Sequence, residues 1–245
     1  MKNFAFDIET IPLSSEELQA RLPLFDPDSV KVGNLGEEKA KEKIEKLRQE
    51  HFQNFYRKAA LSALTGRVAM IGVRDEAGTP LILDGDEKTS IAEFLDMFAR
   101  SEAHWIGFNI ASFDIPFLIR RAWLHGLKVP YGIVRNHYLS GLFTDLLELW
   151  NACERGGDRF PVSLSDLALY FDLGRKNANG ANFHEILRYA PEEAKAYLVN
   201  DLELTWGIAE AMGAICGPVP EPAPLRQESS NNGSPEPAVP EIQFY

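Results

Sequence analysis

The stretch Phe4-Ala5-Phe6-Asp7-Ile8-Glu9-Thr10 alternates aromatic and β-branched residues with small or acidic ones. That is the period of a half-buried β-strand, and the pattern stops at Pro12. Asp7 and Glu9 therefore share a face, their Cα atoms about 6.6 Å apart, close enough for both carboxylates to converge on one or two cations. Without a cation the pair is costly. Two like charges side by side on an inner strand face raise one another's pKa, and an unpaired buried carboxylate costs several kcal/mol. Taken alone, Asp-x-Glu reads first as a strand end with both acids in water, so the rest of the chain has to decide.

Composition sets the frame. With 245 residues and 45% hydrophobic content, the chain is long enough for one sizeable α/β domain with residues to spare. The net charge is −11, and no dense Lys/Arg block suited to neutralising a duplex is present. A nucleic-acid partner would have to be held locally, in a narrow groove or through metal ions. Cys153 and Cys216 form no Cys-x-x-Cys pair, and the five His residues make no ligand-spaced pair, which argues against a zinc site or a disulfide framework. No apolar run reaches transmembrane length and none precedes the first strand as a signal sequence, so the expectation is a cytoplasmic protein without membrane contact.

Along the chain, Ser14-Ser15-Glu16-Glu17 is a helix-start signal, and Pro23 and Pro27 break the segment after it. Glu37 to Leu64 reads as a long helix with alternating charge, its apolar contacts from Ile44, Leu47, Phe55 and Tyr56. Residues 14–64 thus form a helical insertion: a solvated helix, or a flap over substrate using Arg48, Arg57 and Lys58. Arg67–Val73 and Leu81–Leu83 are strands joined by a turn, and Ser90 is expected to cap a helix carrying Ile91, Phe94, Leu95 and Phe98. A strand over His104–Phe108 leads to Asn109, and a helix begins near Asp114-Ile115-Pro116. Gly126 to Asp145 reads as loosely ordered, with Lys128, Arg135 and His137 near Tyr131 and Tyr138. Short helices are expected at Leu146–Trp150 and from Ser163, then a polar loop over Gly174–Gly180. The last long helix opens at Pro191 and ends near Gly213. Residues 218–245, rich in Pro, Glu, Ser and Asn, read as a disordered tail whose apolar tip, Pro240–Tyr245, could dock a protein partner such as a polymerase or sliding clamp.

Two further stretches carry acids. Asn109-Ile110-Ala111-Ser112-Phe113-Asp114 places a carboxylate at a helix N-terminus, where it serves equally as a cap or as a catalytic group. In Tyr197-Leu198-Val199-Asn200-Asp201 the Tyr and Asp are four apart and project from one helix face. Asp145 reads as a helix cap before an outer-shell acid, and Asp166 as a first-turn acid.

Asp-x-Glu in a first strand, Asn-x-x-x-Phe-Asp at a mid-chain strand-to-helix junction and Tyr-x-x-x-Asp in the last helix, in that order, resemble the DEDD superfamily of 3′-5′ exonucleases. Tyr197 matches its tyrosine branch; the histidine branch would place His where this chain has Ala196. The likeness covers roughly residues 1–213 outside the insertion, and is greatest to the exonuclease domain of family B DNA polymerases and its stand-alone relatives, to which the Lys176 loop adds weaker support. The resemblance implies an RNase H-like mixed sheet flanked by helices in residues 1–217. It implies that Asp7, Glu9, Asp114 and Asp201 hold two Mg²⁺ or Mn²⁺ ions, and that Tyr197 orients the attacking water. Phe113 would stack on the terminal nucleotide, Asn109 would bond its sugar or phosphate, and Thr10 would touch the 3′ end. The expected activity is release of nucleoside 5′-monophosphates from single-stranded 3′ ends, DNA favoured over RNA, by a polypeptide separate from any polymerase. An exonuclease trimming RNA 3′ ends and a binding module that no longer turns over are the alternatives.

Overall fold

The computed structural model describes residues 2–100, 103–136, 142–152, 161–174 and 183–215. His137, Tyr138, both cysteines, the Lys176 loop and the 218–245 tail lie outside the described residues, as does the side chain of Arg135.

The sheet has five strands: β1 (Lys2–Pro12), β2 (Gly66–Asp75), β3 (Pro80–Leu83), β4 (Ala103–Gly107) and β5 (Phe143–Asp145). Their order is β3-β2-β1-β4-β5, with β1 at the centre. β2 runs antiparallel to β1 and β3, whereas β4 is parallel to β1 and to β5. This is the mixed α/β sheet that the sequence predicts. Alternation along β1 divides the molecule: Phe6 and Ile8 join a core with Ile91, Phe94, Phe98, Trp105 and Leu118, while Asp7 and Glu9 face the other way. On the first face lie α3 (Glu87–Arg100) and α4 (Asp114–Leu124). On the other lie α7 (Leu164–Tyr170), α8 (Phe183–Tyr189) and α9 (Pro191–Ala211).

Between β1 and β2 run α1 (Ser15–Gln19) and α2 (Glu37–Lys58). Ser14 and Glu17 close the expected capping box at α1. No residue of α2 is buried; Ile44, Leu47 and Phe55 are half-buried and Tyr56 is exposed. The helix stops at Lys58, and one 3₁₀ turn over Ala59–Leu61 replaces its expected last residues.

Three local expectations change. Ser90 does not cap α3: the helix begins three residues earlier, Ser90 is buried within it, and the Asp86 carboxylate accepts from the Thr89 N–H. The Gly126–Asp145 stretch is not loose throughout, because it contains α5 (Tyr131–Asn136) and β5. α8 has no counterpart among the expected helices; seven residues with a single buried apolar position, Phe183, carry almost no periodic signal. The remaining short helix, α6 (Leu146–Asn151), lies where the sequence places it.

Candidate active site

β1 supplies Asp7 and Glu9, and α9 supplies Tyr197 and Asp201 one turn apart. How α9 comes close enough is visible at Gly72, which sits opposite Asp7 in the β1/β2 register. A Cβ there would lie 2.8 Å from Leu202 Cδ1 and 2.9 Å from Leu198 Cγ, so the absence of a side chain lets the helix settle onto the sheet. Arg74 of β2 then fastens the same helix, pairing with Glu203 at 2.8 Å and stacking 4.4 Å over the Trp206 ring.

The result is a convergence of acids. Carboxylate oxygens of Asp7, Glu9 and Asp201 all lie within 4.8 Å of one another. Asp201 is buried and the other two are half-buried. A pocket of about 420 Å³ opens over them, also lined by Asn109, Phe113, Asp114, Leu147, Val162, Leu164 and Tyr197. Oxygen donors alone converge here, the donor set of a hard divalent cation such as Mg²⁺ or Mn²⁺.

Asp114 shares the pocket but stands apart from the three-acid group. The N-cap position of α4 belongs to Phe113, which makes no side-chain capping bond. The Asp114 Oδ1 instead accepts from the backbone N–H of Ile8 at 3.0 Å, between the two acids of β1. Burial, reinforced by the charge of Asp7, pushes the Asp114 carboxyl well above the usual carboxylate range, against the lowering effect of the Ile8 N–H.

The turn before α4 is held by a residue that sequence reasoning gave a smaller part. Asp145 caps α6, accepting from Leu147 N–H, as expected. Its two carboxylate oxygens also accept from Asn109 N–H at 2.8 Å and Ala111 N–H at 2.9 Å. One buried carboxylate thus ties β5 to the loop that presents Asn109, Phe113 and Asp114. Asn109 has φ of 61°, a left-handed conformation that Asn tolerates better than most residues, which gives it a backbone role besides its place on the pocket wall. Phe113 leans on Phe117, ring centroids 5.5 Å apart, and also lines the pocket. Thr10 does not line it; alternation turns its side chain away from the face of Asp7 and Glu9. Asp166 closes a capping box with Ser163, as its first-turn position predicts.

Residues 57–171 match the family described as a predicted 3′-5′ exonuclease related to the exonuclease domain of PolB. Asp114 falls inside that match, while Asp7, Glu9, Tyr197 and Asp201 fall outside it. The chain also resembles the family B DNA polymerase from the hyperthermophilic archaeon Pyrobaculum calidifontis, with a TM-score of 0.55 and 18% identity over 86% of this chain. Together these findings support a 3′-5′ exonuclease-like domain. The mixed five-stranded sheet with helices on both faces agrees with an RNase H-like exonuclease fold. The chain spans only 24% of that polymerase's length. No curated protein matches the sequence. Among the described residues, no helix is long and apolar enough to cross a membrane.

Proposed function

We propose that this chain is a metal-dependent 3′-5′ exonuclease of the tyrosine branch, acting on single-stranded ends, DNA in preference to RNA. The observation that carries the reading is the meeting of Asp7, Glu9 and Asp201 within 4.8 Å, in one pocket with Asp114 and Tyr197. The exonuclease domain would occupy residues 1–217, with residues 14–64 inserted.

Asp7, Glu9, Asp114 and Asp201 would hold two Mg²⁺ or Mn²⁺ ions, which when bound supply a water of lowered pKa and charge stabilisation at the leaving 3′ oxygen. The protein's own residues do the rest. Tyr197, buried against Phe183 with ring centroids 5.9 Å apart, holds its hydroxyl in a fixed place to orient a water. On this reading Tyr197 orients the water rather than taking its proton. Phe113 offers a ring face to the last base, where stacking contributes roughly 1–3 kcal/mol without sequence preference. Asn109 offers an amide to the sugar or phosphate. A paired base does not enter such a pocket, which favours a frayed or single-stranded end.

The test is a time course on a single strand labelled at its 5′ end and, separately, at its 3′ end. In Mg²⁺ or Mn²⁺ the 5′-labelled strand should shorten one nucleotide at a time, while the 3′ label leaves at once as a mononucleotide. EDTA or Asp201→Ala should stop both. Internal cuts, or shortening from the 5′ end, would overturn the assignment.

A further inference from the structure

The face that carries the acids does not end at Glu9. Ile11, two residues on and on the same side of β1, lines a second pocket of about 570 Å³, larger than the one over the acids. Its apolar floor is Ile11, Leu13 and Leu18; its polar rim is Tyr56 and Arg57 from the last turn of α2, and His184 from α8. His184 directly follows Phe183, whose ring packs on Tyr197 of the first pocket, so the Tyr197–Phe183 contact links the linings of the two pockets.

Some cations of α2 are paired with a glutamate and others, Lys39 and Lys43 among them, have no carboxylate partner among the described residues. Lys41, Lys46 and Arg48 are each paired with a glutamate within the helix, and Arg48 also lies over the Phe25 ring. Lys58 turns to a different depression, beside Pro23 and His51. Arg57 donates to the neutral Asn54 Oδ1 at 2.8 Å, and among the described residues no carboxylate pairs with it. In a chain of net charge −11, an arginine left unneutralised at the rim of an apolar pocket is complementary to a phosphate attached to something flat and apolar. Tyr56 is 42% exposed and supplies a ring face at the same rim.

We infer that this second pocket receives the nucleotides preceding the scissile bond, with Arg57 and His184 on a backbone phosphate and Tyr56 against a base. The inference rests on the exonuclease reading and gives the insertion a purpose: it grips the strand whose 3′ end sits over the acids. Of the three basic residues that a flap would use, only Arg57 reaches this pocket.

The experiment measures fluorescence anisotropy of 5′-labelled hexathymidylate and dithymidylate in Mg²⁺, each with a phosphorothioate at the last linkage, over a series of salt concentrations. The full-length parent is compared with the double variant Tyr56→Ala/Arg57→Ala, whose exposed positions spare the fold, as a thermal melt verifies. The variant should bind the hexamer at least about tenfold more weakly, and its log K against log salt should flatten by about 0.7, the value of one phosphate contact on a single strand. The dimer, whose single internucleotide phosphate sits over the acids and leaves none for Arg57 and His184, should lose much less. Equal hexamer affinity with an equal salt slope would overturn the inference, as would an equal loss for dimer and hexamer. Hydrolysis of the p-nitrophenyl ester of thymidine 5′-phosphate in Mn²⁺ reports on the acids separately. No hydrolysis by the parent would sink the exonuclease reading, while the binding comparison would still judge the pocket.

Discussion

At the scale of single residues, the acids gather at an electrostatic cost. Two unit charges about 4 Å apart repel by about 4 kcal/mol at the effective dielectric of a protein surface. Asp7→Asn should therefore leave the metal-free protein as stable as the parent or raise its melting temperature, while removing the stabilisation that Mn²⁺ gives the parent. Thermal melts with and without Mn²⁺ check this; a variant that is destabilised without metal yet still stabilised by it would contradict the role given to Asp7. The shared face of Asp7 and Glu9 and the one-turn spacing of Tyr197 and Asp201 were legible because strand and helix periods are local. The hydrogen bond from Ile8 N–H to Asp114 was not, since it joins residues 106 apart in sequence. Nor was the full part of Asp145, whose capping of α6 is local but whose hold on Asn109 and Ala111 spans the loop between two strands.

At the scale of elements, the site depends on how close α9 lies to the sheet, and Gly72 sets that distance. Gly72→Val should overpack the contact with Leu198 and Leu202 and cost about 1–3 kcal/mol in urea melts. Because the same shift carries Asp201 away from Asp7, Mn²⁺ should stabilise the variant less than the parent. Unchanged Mn²⁺ stabilisation would mean that α9 does not place the site. The elements themselves were legible where they are long: β1, β2, α2, α3 and α9 carry several periods of pattern. β5 was missed because three residues cannot display an alternation, and its place is set only by pairing with β4. Ser90 misled because a serine before an apolar run imitates a cap, whereas Asp86 four residues earlier performs that task.

At the scale of the whole molecule, one buried ion network joins the layer of α3 and α4 to the sheet and to the end of the insertion. Glu87 of α3 accepts from Val68 N–H of β2, from the Arg121 guanidinium of α4 by both oxygens, and from His125. Arg121 also donates to the Ala63 carbonyl. Burial alone would raise the Glu87 carboxyl, but the bonds from Arg121, His125 and Val68 outweigh it and hold the group below the ordinary range. A carboxyl lowered by folding stabilises above its unfolded value of about 4.5, and that contribution is lost as pH falls through the folded value. Glu87→Gln should thus be less stable than the parent by about 3 kcal/mol at neutral pH, with the gap narrowing below about pH 4.5, as urea midpoints across pH would report. A gap that does not change with pH would refute the linkage. None of these partners was legible in the sequence, because Glu87 meets Val68, Arg121 and His125 across 19, 34 and 38 residues of chain. On the proposed reading, the first strand and the last long helix together build a divalent-cation site. Anomalous diffraction from crystals soaked in Mn²⁺ tests it most directly. An anomalous peak is expected between Asp7, Glu9 and Asp201 and should disappear in Asp201→Ala; Mn²⁺ bound elsewhere in the crystal, or nowhere, would rule the site out.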